Sequence, residues 1–95
     1  MRVDIWDLLF DDRNREKMHG HGISVRQALE VVDECPRLLR NDAPDGAPFL
    51  LVGPDKSGTF VTMPIDPTNE YGTWRPRTAY PSKLSDEARY DLLKS

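Results

Sequence analysis

The sequence holds one cysteine, Cys35, and two histidines, His19 and His21. A single thiol excludes an internal disulfide, and these three side chains do not complete a four-ligand structural zinc site, so the fold must rest on packing. Long apolar runs are also missing. Asp4 and Asp7 interrupt Ile5, Trp6, Leu8 and Leu9 before a signal-peptide core forms, and the longest aliphatic stretch elsewhere is Phe49 to Val52. A soluble, reducing, cytoplasmic setting is therefore expected, with no membrane partner. Nor is there an excess of positive charge. Thirteen Lys and Arg against 16 Asp and Glu leave a net charge of −3, so any grip on phosphate must be local. No internal repeat, low-complexity tract or long linker divides the chain. Its 95 residues, 38 % hydrophobic and 31 % charged, suit one small domain over 1–95 with little spare core.

What is present reads as an α+β pattern. Leu8 to His19 has no breaker and is followed by Gly20, which predicts a polar first helix. Ser24 and Gln27 have capping-box spacing, which starts a second helix at Val25; Val25, Ala28, Leu29, Val32 and Cys35 form its apolar stripe, and Pro36 ends it. Short apolar runs bounded by turn residues then predict strands at Arg37 to Arg40, Phe49 to Val52, Thr59 to Ile65 and Thr73 to Tyr80. Pro54 to Gly58 has hairpin chemistry, so the second and third of these should be antiparallel neighbours. After Pro81, Ser85 as N-cap followed by Asp86 and Glu87 predicts a short last helix docked by Ala88, Leu92 and Leu84. The expected architecture is two N-terminal helices and a short C-terminal helix on a small, mainly antiparallel sheet of three to four strands.

Gly53 and Gly58 have P-loop spacing, but Thr59 and Phe60 follow where Lys and Ser or Thr are required, so the segment is a turn. His21, between Gly20 and Gly22, is either a plain connector residue or an imidazole set at the mouth of a site. Cys35 beside Pro36 reads as a small core residue. The basic character is C-terminal: residues 1–70 hold 8 basic and 13 acidic side chains, whereas residues 71–95 hold 5 and 3. Within that quarter, aromatic and basic residues interleave from Trp74 to Tyr80. Arg75 and Arg77 share one face of a regular strand and Trp74, Thr78 and Tyr80 the other, unless Pro76 introduces a bulge. Two guanidiniums suit a phosphodiester, and nearby rings can stack on an unpaired base. Alternatively the arginines pair with Asp86, Glu87 or Asp91 and Trp74 is core.

The polar first helix, His21-Gly22-Ile23-Ser24, the helix ending near Pro36, the Phe49 to Gly53 strand, the Gly58 turn, the Arg75 to Ala79 strand and a last helix with Tyr90 together resemble the BrnT family of small bacterial toxins. The resemblance runs from about Trp6 to Tyr90. It implies a fold similar to the RelE-type ribonuclease toxins, with helices on one side of a small antiparallel sheet. It also implies metal-independent RNA cleavage that stops when a cognate antitoxin, encoded next to the toxin, binds. On the family pattern Arg75 matches the first Arg, Thr78 the Ser, Ala79 the Ala, Asp86 the acid and Tyr90 the Tyr. Tyr80 stands where the family has its second Arg, Arg77 at an aliphatic position, Pro76 at a regular strand position, and Gly20 where a basic residue precedes the His-Gly pair.

The function implied is that of a toxin acting as an endoribonuclease that blocks translation, with no cofactor or metal. Arg75 and Arg77 would hold the scissile phosphate with Trp74 beside them, Tyr80 would ionise or donate a proton if guanidiniums lay next to it, and Asp86 or His21 would be the base. The competing class is a catalytically inactive relative that serves as a protein-binding or repressor-complex subunit, which the replaced second Arg favours.

Overall fold

The computed structural model describes residues 5–34, 36–42 and 46–94. Three helices and six strands follow one another as β1 (Asp7–Leu8), α1 (Asp12–Gly20), α2 (Val25–Asp33), β2 (Arg37–Arg40), β3 (Phe49–Pro54), β4 (Phe60–Pro67), β5 (Thr73–Pro76), β6 (Tyr80–Pro81) and α3 (Leu84–Lys94). The α+β class holds, with more strands than the sequence suggests. Cys35 lies outside the described residues. No described helix is long and apolar enough to cross a membrane.

The first helix starts later than expected because its cap lies at Asp11. The Asn14 N–H donates to Asp11 Oδ1 and the Asp11 N–H donates to Asn14 Oδ1, each at 2.9 Å, a reciprocal box in which Asn takes the place of Glu or Gln. Leu8 is thereby left to β1, which runs parallel to β5. Asn14 is fully buried, and its Nδ2 donates to the carbonyls of Leu9 at 3.1 Å and Pro76 at 2.8 Å, tying the exit of β1 to the end of β5.

Ser24 caps α2, its Oγ accepting the Gln27 N–H at 3.0 Å. The second half of the expected box is not made. Gln27 instead reaches the β3–β4 turn, where its Nε2 donates to Asp55 Oδ2 at 3.1 Å. The helix seats Ala28 and Val31 fully inside, with Val25 and Val32 half-buried and Leu29 exposed, so the buried stripe is rotated from the expected one. In the turn, Asp55 Oδ1 accepts from the Ser57 amide, the Ser57 hydroxyl and the Thr59 amide, while Gly58 takes a φ of +90° open to glycine. This turn joins β3 and β4 as antiparallel neighbours.

The sheet order is β1-β5-β4-β3-β2, and β6 pairs with the first half of β4. The strand expected from Thr73 to Tyr80 is broken by a bulge. Pro76 pairs with Ile65 and Tyr80 with Thr62, so residues 77–79 stand against only 63 and 64. Neither Pro64 nor Pro76 has an N–H to give, and the ladder resumes through the Arg77 N–H on the Pro64 carbonyl at 2.8 Å. The extra residue reverses the alternation. Pro76 and Tyr80 are an even number of residues apart, yet one pairs with core-facing Ile65 and the other with Thr62 on the opposite face.

Both faces are covered. On one, Met18 of α1 and Ala28 and Val31 of α2 pack with Leu51, Val61, Met63, Ile65 and Ala79. On the other, Tyr90 of α3 packs with Leu39, Leu50 and Val52, meeting Phe60 edge-on at 5.0 Å. The continuous apolar run of β3 explains this, since it presents apolar side chains to both faces. The helices therefore lie on two sides of the sheet, not on one as the family resemblance implies. Tyr90 docks α3, whereas Ala88, Leu84 and Leu92 are exposed.

Candidate functional site

The residues singled out in the sequence fall into two groups on either side of the bulge. In the first, Arg75 Nε donates to Asp11 Oδ2 at 2.8 Å, so the N-cap carboxylate of α1 also holds a β5 guanidinium. The Asn14 amide first, and then Arg75, hold the Asp11 carboxyl below its ordinary pKa. Arg77 binds Asp66 through two bonds, Nε to Oδ2 at 2.7 Å and Nη2 to Oδ1 at 3.0 Å. That fork raises the Arg77 pKa further. Asp66 is also the ladder partner of Arg75. The arginines thus pair with Asp11 and Asp66, not with the α3 acids considered from the sequence. Trp74 is half-buried against the main core and edge-on to Phe49 at 5.8 Å, which is the packing role of the two open to it.

The second group gathers at Tyr80. The His21 backbone N–H closes α1 on the Met18 carbonyl at 3.0 Å, and Gly22 then turns the chain with a φ of +81°. This leaves the imidazole exposed and edge-on to the Tyr80 ring, with centroids 6.0 Å apart. Lys83 Nζ approaches the same ring, 6.0 Å from its centroid. Burial pushes the Tyr80 hydroxyl pKa up, and the nearby Asp86 carboxylate adds to the effect. These surroundings disfavour ionisation of Tyr80, the opposite of what the guanidiniums expected beside it would do.

Asp86 itself is buried. The Thr62 hydroxyl donates to Asp86 Oδ2 at 3.1 Å and, having one proton, accepts from Ser82 Oγ at 2.8 Å. This relay fastens the start of α3 to β4 and fixes Asp86 near Tyr80. Of the two candidate bases, His21 is the exposed one. The Thr78 hydroxyl, in the bulge, finds no hydrogen-bond partner among the described residues.

Lys83, Asp11 and Asp66 were not singled out from the sequence. Asp66 lies one residue past the expected end of its strand, and only the register shows it facing Arg75. Lys83 follows Tyr80 closely in the chain, which was a usable signal. Among the described residues no group of three or more His, Cys, Asp or Glu side chains is placed to hold a metal ion. The chain matches no family model, no curated protein and no solved structure.

Proposed function

We propose that the chain is the toxin of a bacterial toxin–antitoxin pair and cleaves single-stranded RNA without a metal, at a centre formed by His21, Tyr80 and Lys83. The juxtaposition of an exposed imidazole, a phenol and an ammonium group carries the proposal. In strand cleavage by the neighbouring ribose 2′-hydroxyl, one group takes the 2′ proton and another returns a proton to the departing 5′ oxygen. His21 takes the first role and Tyr80 the second, while Lys83 opposes the charge that builds on the phosphate. Asp86 is a positioning residue: held by Thr62, it fixes the start of α3 and with it Lys83 beside Tyr80. Arg75 and Arg77 contact flanking phosphates by exchange with Asp11 and Asp66. The toxin assignment draws on the family resemblance alone.

A second reading has its own support: both guanidiniums are already neutralised by carboxylates, which suits a binding module without chemistry. Incubating the purified chain with end-labelled single-stranded RNA in a chelator separates the two. The expected products end in a 2′,3′-cyclic phosphate, and His21→Ala and Tyr80→Phe should each lower the rate by at least tenfold at unchanged melting temperature. A folded wild-type chain that leaves every RNA intact would overturn the nuclease proposal in favour of the binding module.

A further inference from the structure

The outer edge of β2 is open among the described residues, because β2 is the last strand on its side of the sheet. Its hydrogen-bonding direction follows from two contacts. The Asn41 N–H points inward to the Pro48 carbonyl at 3.0 Å, so alternation turns the backbone groups of Leu39 and Arg37 inward and those of Leu38 and Arg40 outward. The Arg40 carbonyl is indeed met from outside, by Arg89 Nη2 of α3 at 2.9 Å.

Beside this edge lies a groove of about 360 Å³ lined by Leu38, Leu39, Arg40, Arg89 and Leu92. Its floor is apolar and Leu92 is 74 % exposed. Its rim is cationic in a chain of net charge −3, and no ion pair holds Arg40 or Arg89 among the described residues. Arg37 adds a third cation at the start of the strand, over the Tyr90 ring at 5.7 Å.

We propose that this edge binds an extended, acidic segment of another protein as an added strand. The segment takes the outward Leu38 and Arg40 backbone groups into a ladder, sets one apolar side chain in the groove, and brings carboxylates to Arg40 and Arg89. A second copy of this chain is a poor occupant, since pairing two β2 edges would bring these arginines against their own kind. The proposal is independent of the nuclease reading and uses none of its residues.

The test is an NMR titration of the full ¹⁵N-labelled chain with a capped synthetic heptapeptide, Glu-Val-Glu-Leu-Glu-Val-Glu, and with its Lys-for-Glu counterpart. The acidic peptide should shift the Leu38 and Arg40 amides and slow their hydrogen exchange at least tenfold at saturation. The basic peptide should do neither. Arg40→Glu with Arg89→Glu should weaken binding at least tenfold. Arg40→Pro removes the outward N–H without breaking a ladder bond, and should weaken binding more than Arg40→Ala does. The Tyr80→Phe chain should bind like wild type. Equal binding of both peptides, shifts confined to other amides, or no binding would overturn the proposal and leave the arginines as guards against edge-to-edge association. Concentration-dependent dimerisation through the same amides would overturn it in favour of a second copy.

Discussion

Arg77 grips Asp66 with a two-bond fork across the bulge, Nε to Oδ2 at 2.7 Å and Nη2 to Oδ1 at 3.0 Å, while Arg75 faces the same aspartate in the ladder and holds Asp11. Two guanidiniums and two carboxylates thus balance in charge at the end of β5. A phosphate reaching this surface has to displace a carboxylate, which limits how strongly the arginines can hold it.

Removing that competitor is informative. Asp66→Asn should raise affinity for a single-stranded RNA several-fold at low salt, measured by fluorescence anisotropy, because it releases Arg77 from its fork. Stability should change by no more than about 1 kcal/mol, since the pair is partly exposed and screened. Unchanged affinity would take Arg77 out of the RNA path.

Tyr80 makes a prediction at alkaline pH. Its folded pKa is raised above the ordinary 10.0, by burial first and by Asp86 second. The folded chain therefore holds the phenolic proton more tightly than the unfolded chain. The resulting stability is fully present below about pH 10 and is lost as pH rises through the folded value. Tyrosinate absorbance should show a late-titrating component that Tyr80→Phe removes, and the variant should lose less stability above pH 10 than wild type. Cleavage that survives Tyr80→Phe intact would exclude the phenol as the acid.

Much of this arrangement is readable from local chemistry. Ser24 before Val25, the Asp55 to Gly58 turn and the apolar runs of β2, β3 and β4 are local signals, and each element stands where its residues place it. What escaped is non-local. The short β1 exists only because β5 accepts it in parallel; the Asp11–Asn14 box, by contrast, is local but is masked by Asn standing where Glu or Gln is usual. The bulge shows best how far sequence reaches. Pro76 marks it as an option, but the switch of Tyr80 to the opposite face from Pro76 depends on which β4 residues oppose it. For the same reason Arg75 and Arg77 were readable as a pair, while their partners Asp11 and Asp66 were not. His21 and Tyr80 meet only through the packing of the α1–α2 turn.

Asn14 should be the most sensitive polar residue of the chain. Asn14→Ala keeps the Asp11 cap on the residue-14 N–H but removes the reciprocal half of the box, and it leaves the Leu9 carbonyl and the buried Pro76 carbonyl short of a donor, at a cost of roughly 1–3 kcal/mol for each buried group left unpaired. Asn14→Asp should be worse at neutral pH. It keeps an acceptor for the Asp11 N–H but turns a carboxylate toward two carbonyls and toward Asp11 itself. Urea unfolding should place Asp below Ala at pH 7, and acidification should narrow the gap. An Asp variant as stable as wild type would mean that the two carbonyls do not need their donor.

Asp55 ties the β3–β4 turn to α2, and its charge governs an acid limb of stability. The Ser57 hydroxyl holds its carboxyl below the ordinary 3.8 despite burial, with the Thr59 and Ser57 amides and Gln27 adding to the effect. The unfolded chain thus binds this proton more readily. The stability it supplies is complete above about pH 4 and is lost as pH falls through the folded value. Asp55→Asn keeps the shape and one oxygen for the turn amides. It removes the charge, however, and sets an amide donor against Gln27 Nε2, which already donates to Asp55 Oδ2. A loss of about 1–3 kcal/mol is expected at pH 7. Urea titrations of both chains at pH 7 and pH 3 should show the difference shrinking in acid. Asp11, whose pKa is also lowered, leaves the variant with a residual acid limb. A difference as large at pH 3 as at pH 7 would assign the loss to the shape of the turn and not to the Asp55 charge.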